Sequence, residues 1–227
     1  MVFLAVGGVA LALGLRGLEG PPQPITSDRS AVSAPAQESA SPPPIATTNR
    51  STSAAPDRTP SGSSVRQPPP AFGEFLAASA PVTLDISSVG IHSTNFVDLH
   101  IAKDGTIEVP GSAREVGFYA PGPTPGQLGP AVLAAHVDST EGPGIFYSLG
   151  AVKPGASITI TRLDRSVTTF VVDKVGVYPK NAFPTDEVYR GNFTQSQIRL
   201  VTCGGTFDKI KHYLDNVIVF GHLASVS

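Results

Sequence analysis

Ile198-Arg199-Leu200-Val201-Thr202-Cys203 is a β-branched run that ends on the only thiol of the chain, and Gly204-Gly205 follows at once. Asn216-Val217-Ile218-Val219-Phe220 repeats the pattern a short turn later. Working outward, Val82-Leu84-Ile86, Ser157-Ile158-Thr159-Ile160-Thr161 and Thr169-Phe170-Val171-Val172-Asp173-Lys174-Val175 alternate apolar and polar positions, the period of a half-buried strand. Turn signals separate them: Lys103-Asp104-Gly105, Pro121-Gly122-Pro123, Pro154-Gly155 and Leu163-Asp164-Arg165. No long stretch carries helical periodicity; residues 144–149 and 184–189 have room for a turn or two. Many short strands at this spacing predict a mainly β fold, a closed barrel or a sandwich.

The prolines divide the chain. Twelve of its 22 lie between Gly20 and Ala71, in a stretch of Pro, Ser, Ala and Thr with no apolar periodicity. Such a segment buries too little surface to offset its ordering entropy, so residues 20–71 read as a semi-stiff disordered spacer. Residues 72–227 then form one globular domain. Before the spacer, residues 2–15 are apolar and end at Arg16. As a helix they span roughly 21 Å, short of the ~30 Å hydrocarbon core, and no basic residue precedes them. Residues 1–19 therefore read as an anchor or export signal whose upstream part is missing, which puts the domain outside the cytoplasmic membrane. The net charge of -2 removes the electrostatic case for nucleic acid. One cysteine excludes an intrachain disulfide and any multi-cysteine metal site, and no metal or other cofactor is expected.

Two strand ends carry chemistry. Ala131-Val132-Leu133-Ala134-Ala135-His136 delivers an imidazole at its end, shortly before the Gly142-Pro143-Gly144 loop. The cysteine strand delivers Cys203, and Gly204 with Gly205 leaves room for a substrate backbone beside the sulfur. An imidazolium close by lowers a thiol's pKa into the nucleophilic range. Spacing alone leaves the alternative open, because a cysteine after a β-branched run is more often a small buried hydrophobe. His92, His100, His212 and His222 are further histidines of no special placement.

Leu200-Val201-Thr202-Cys203 resembles the Leu-x-Thr-Cys core of the sortases, cysteine transpeptidases of Gram-positive cell surfaces. The longer string Leu200-Val201-Thr202-Cys203-Gly204-Gly205-Thr206-Phe207-Asp208, with Tyr213-Leu214-Asp215-Asn216-Val217, is similar to the actinobacterial class F branch. Val116-Gly117-Phe118-Tyr119, Ala135-His136-Val137-Asp138-Ser139, Gly142-Pro143-Gly144-Ile145-Phe146 and Phe183-Pro184-Thr185 fall in that family's order. The resemblance covers residues 81–222. It implies a closed eight-stranded sortase-like β-barrel with one or two short helices, tethered to the cell membrane with its catalytic domain extracellular. It further implies that Cys203 attacks an LPXTG-like sorting signal of secreted proteins after its threonine, forming a thioester. His136 then protonates the leaving amine, and a peptidoglycan precursor or another amine resolves the intermediate.

In one respect the sequence departs from that family. Sortases place an arginine about ten residues beyond the cysteine, and no arginine occurs after Cys203. Downstream cations are Lys209, Lys211 and His212, and lysine lacks the two-pronged donor geometry. Arg199, on the Cys203 face of its strand by two-residue counting, is the expected substitute. Thr202 and Gly204 are expected to contact substrate, and Asp138 stands two residues beyond His136. Phe183-Pro184-Thr185 and Tyr189 either wall the substrate cleft or pack a loop. Two other functions stand beside the transpeptidase: a sortase-like binding module with impaired turnover, and a peptidoglycan L,D-transpeptidase, whose Ser-His-Gly-Cys type motif is absent here.

Overall fold

The computed structural model of the protein describes residues 20–24, 73–103, 106–210 and 212–227, with His212 described in its backbone alone. The N-terminal segment 1–19, most of the spacer and Lys211 lie outside the described residues.

Strands dominate: β1 (Pro81–Ile86), β2 (Ile91–Ser93), β3 (Phe96–Leu99), β4 (Val116–Tyr119), β5 (Gly129–Ala134), β6 (Asp138–Ser139), β7 (Gly142–Pro143), β8 (Ser157–Arg162), β9 (Val167–Pro179), β10 (Ser196–Asp208) and β11 (His212–Val226). Nine of them form one sheet in the order β2-β1-β8-β9-β11-β10-β5-β4-β3, while β6 and β7 pair as a small ribbon. The sheet's two edges, β2 and β3, are consecutive in the chain, so it curls into a nearly closed barrel. The mainly β architecture expected from the alternating runs is present, with nine strands in the wall in place of eight. Among the described residues helical structure is confined to single turns: Ser87–Val89, Leu149–Ala151, Lys180–Ala182 and the wider turn Asp186–Arg190.

Two-residue alternation explains which side chains fill the barrel. Leu84 and Ile86 of β1, Ile158 and Ile160 of β8, and Ile198 and Leu200 of β10 point inward and are fully buried, with Phe146 and Phe170 between them. Each such aliphatic side chain contributes about 1.5–3 kcal/mol by leaving water. The outer face of β5 and β11 carries a second cluster, Val132, Ile218 and Phe220 with Val188 of the Asp186–Arg190 turn, and Tyr178, Tyr189 and Val201 pack on it. That outer face carries the chemistry below.

The pair β5–β10 is parallel, in the register Arg199↔Val132, Leu200↔Leu133 and Val201↔Ala134. Parallel neighbours put their C-terminal ends at the same edge of a sheet. β10 then turns into β11, with Cys203 opposite Asn216 and a bulge between Gly204 and Phe207.

Candidate active site

Beyond the last paired residues, two bonds carry the β5–β10 association one step further. The Ala135 N–H donates to the Val201 carbonyl (3.2 Å), and the Thr202 hydroxyl donates to the Ala135 carbonyl (2.8 Å). Extending that register by one residue would pair His136, two residues past the end of β5, with Cys203 of β10. Alternation sets the faces. Val132 and Arg199 share the outer face, so Ala134 with Val201, and then His136 with Cys203, share it too. Both residues are half-buried at one end of the barrel.

The imidazole is oriented from its far side. Its Nε2 lies 2.8 Å from the Pro110 carbonyl, which can only accept, so Nε2 is the donor in that bond. Among the described residues no hydrogen bond joins the imidazole to the sulfur, a looseness common in sites without substrate.

Asp138 turns away from His136. Its Oδ2 accepts from the phenol of Tyr213 at 2.5 Å, which ties the loop after β5 to β11 across the cysteine strand. Tyr213 is buried, and its phenol is pushed well above the ordinary tyrosine range, first by burial and then by that hydrogen bond. Its ring meets Phe207 edge-on at 5.1 Å. Tyr213 and the Pro110 carbonyl carry no spacing signal and were not foreseen from the sequence.

Three expected contributors have other occupations. Thr202 points inward, is buried, and spends its hydroxyl on Ala135. Gly204 is buried as well; an added Cβ would stand 2.6 Å from Val217 Cγ2, so packing inside the barrel is what requires glycine there. Arg199 is 4% exposed. Its Nε donates to the Glu187 carbonyl (3.2 Å), one terminal nitrogen to the Ile198 carbonyl (2.9 Å), and the other to Gln197 Oε1 (2.9 Å). The guanidinium also lies 4.8 Å over the Phe220 ring, and burial pushes its pKa below the usual arginine range. Phe183 and Tyr189 are in the outer cluster, with Tyr189 edge-on to Tyr119 at 5.2 Å, the packing alternative for these rings.

A Sortase domain model matches residues 89–224, more than half of the chain. The chain belongs to the sortase family. Among solved structures, the SrtA sortase from Actinomyces oris superposes with a TM-score of 0.51 at 17% identity, covering 70% of this chain and 87% of that one. Sortase A from Corynebacterium diphtheriae gives 0.50 at 18% identity, covering 66% and 63%. At such identities the likeness concerns the fold. Among curated proteins, none matches.

In this sortase domain the surroundings of Arg199 hold its guanidinium away from the strand edge. It stands four residues before Cys203, about 13 Å along the strand, and its fork is held on carbonyls beneath the Asp186–Arg190 turn. An aromatic face and three acceptors make that burial the better home for the cation. In the stretch of β11 where the resemblance places an arginine stands Leu214, 39% exposed. It lies two residues from Asn216 and so on the Cys203 face, beside Pro179 and Lys180.

Proposed function

We propose that this sortase transpeptidase cleaves an LPXTG-like sorting signal after its threonine and passes the acyl group to a cell-wall amine, with Cys203 as nucleophile and His136 as proton carrier. The observation that carries the reading is the parallel β5–β10 register, which runs to Ala134 and Val201, two residues short of His136 and Cys203. The Cys203 thiol gives its proton to His136 Nδ1, and the resulting thiolate attacks the threonine carbonyl carbon to form a C–S bond. The tetrahedral intermediate collapses as the C–N bond breaks, and the imidazolium gives its proton to the departing amine. An incoming amine then attacks the thioester, the imidazole takes its proton, and the thiolate leaves. The tie from Nε2 to Pro110 fixes the ring, so Nδ1 is the nitrogen that carries the proton in both half-reactions.

The substrates are secreted proteins with a C-terminal signal, and the acceptor is a peptidoglycan precursor or another amine. Residues 1–19 tether the domain to the outer side of the cell membrane. The motif string favours the actinobacterial class F branch. The alternative of a peptidoglycan L,D-transpeptidase has no support from the family model. A second reading, a sortase-like binding module with impaired turnover, is favoured by one observation: the buried guanidinium of Arg199 and the leucine at position 214.

Incubating the protein with an LPXTG-type peptide and an oligoglycine amine separates the two. Ligated product that disappears in Cys203→Ala and in His136→Ala supports the transpeptidase; peptide binding without product supports the binding module. Membrane fractionation of the full gene product tests the tether, and recovery wholly in the cytosol would overturn it.

A further inference from the structure

Residues 20–24, at the head of the proline-rich stretch, lie against the barrel next to the residues that follow Cys203. The Gly205 N–H donates to Gln23 Oε1 at 3.0 Å. Gly205 sits in the bulge between β10 and β11, where the ladder offers it no strand partner, and adopts a left-handed φ of 75°. Gln23 therefore satisfies a backbone donor that the sheet leaves over, two residues from the thiol. Gln23 is itself braced, since its Nε2 donates to the Pro21 carbonyl at 3.0 Å. Pro21 is buried, and Pro22, Gln23 and Pro24 line one cavity with Val152, Pro154 and Val175.

Gly150 supplies an independent sign that this contact is shaped for its occupant. Its φ is not left-handed, so its backbone accepts any residue. Yet a Cβ there would collide with the Pro22 carbonyl oxygen, and the next nearest atoms also belong to Pro22 and Gln23. Glycine at 150 is thus required by residues 20–24 and by nothing else so near.

We propose that Gly150, Val152, Pro154, Val175 and the Gly205 amide form a binding site for an extended, proline-bearing peptide. The chain occupies the Gly150 and Gly205 end of the site with its own residues 20–24, which wall the space beside Val152, Pro154 and Val175, and that contact fixes the turn after Cys203. Prolines suit the role because they lose little conformational entropy on docking. The carboxamide supplies the one directional bond. The effect on the thiol rests on the transpeptidase reading; the binding does not.

Amide hydrogen exchange of Gly205, followed by NMR in the full chain, tests it. Gln23→Ala and Gly150→Ala should each speed Gly205 exchange about tenfold while the amides of the barrel strands keep their protection. The double variant should add nothing, because both release one segment. Pro21→Gly leaves the carboxamide in place and should also deprotect Gly205; retained protection there would overturn the proline-binding claim. Unchanged exchange in Gln23→Ala overturns the site as a whole, and that variant decides alone should Gly150→Ala not fold. With an LPXTG-type peptide, release of the segment should lower kcat severalfold with little change in KM, and unchanged kcat overturns the link to Cys203. Deprotection in variants of a parent that ligates nothing leaves the site standing and removes the transpeptidase reading.

Discussion

Replacing Arg199 separates a buried brace from a catalytic cation. The guanidinium makes three hydrogen bonds, to the Glu187 and Ile198 carbonyls and to Gln197, and covers Phe220. Each bond from a charged donor is worth about 1.5–3 kcal/mol and the ring contact about 1 kcal/mol, but much of this is offset by the cost of burying the ion. Truncation to alanine also opens a cavity and strands the carbonyls, so Arg199→Ala should lose about 3 kcal/mol of stability. Arg199→Met refills most of the volume and should lose about half as much. Urea unfolding gives the stability change, and peptide cleavage assayed well below the melting temperature gives kcat/KM. The account predicts a lowered urea midpoint in both variants, with kcat/KM of the folded Arg199→Met within about threefold of the parent, since a brace 13 Å along the strand adds little at the transition state. A hundredfold fall in kcat with an unchanged midpoint would refute it and return Arg199 to the sulfur.

Leu214→Arg should raise turnover about tenfold or more, because it sets a forked cation on the Cys203 face of β11; unchanged peptide kinetics would show that no cation is wanting there. Gly205→Ala should cost about 1–3 kcal/mol in thermal unfolding, since φ is 75° and the new methyl meets the Asp215 carboxylate. Tyr213→Phe should cost about 1 kcal/mol near neutral pH by removing the bond to Asp138. The Tyr213 phenol's raised pKa also sets a pH window. Its stabilisation is complete below the ordinary tyrosine value of about 10 and is lost as pH climbs towards the folded value, so the parent's urea midpoint should fall more steeply than the variant's above that pH.

Alternation made the barrel legible. Val82-Leu84-Ile86, Ser157-Ile158-Thr159-Ile160-Thr161 and the runs around Cys203 all became strands, with Leu84, Ile158, Ile160, Ile198 and Leu200 inside. The strand runs leading to His136 and Cys203 were legible too, although β10 runs on past Cys203 to Asp208 and β5 stops two residues short of His136. The pairing of their strands was not, because β5 and β10 join residues some 65 positions apart, and register across such a gap leaves no trace in local spacing. The surroundings of Arg199 were not legible for a related reason. Two-residue counting gave its face correctly, but the Asp186–Arg190 turn and the Phe220 ring that enclose it come from distant segments. Thr202 and Gly204 sit on the inward side, where packing consumes what looked like substrate chemistry. Residues 20–24 were grouped with the spacer because their composition matches it. Composition registers a lack of apolar burial but carries no sign of a single amide contact such as Gln23 to Gly205.

The most direct test of Cys203 and His136 as one catalytic pair is intact-mass analysis of the protein mixed with an LPXTG-type peptide and quenched in acid, followed by peptide mapping. The account predicts a hydroxylamine-sensitive adduct ending in the peptide's threonine, confined to Cys203, and greatly reduced in His136→Ala. An adduct of equal yield in His136→Ala, or mapped to any residue other than Cys203, would contradict it.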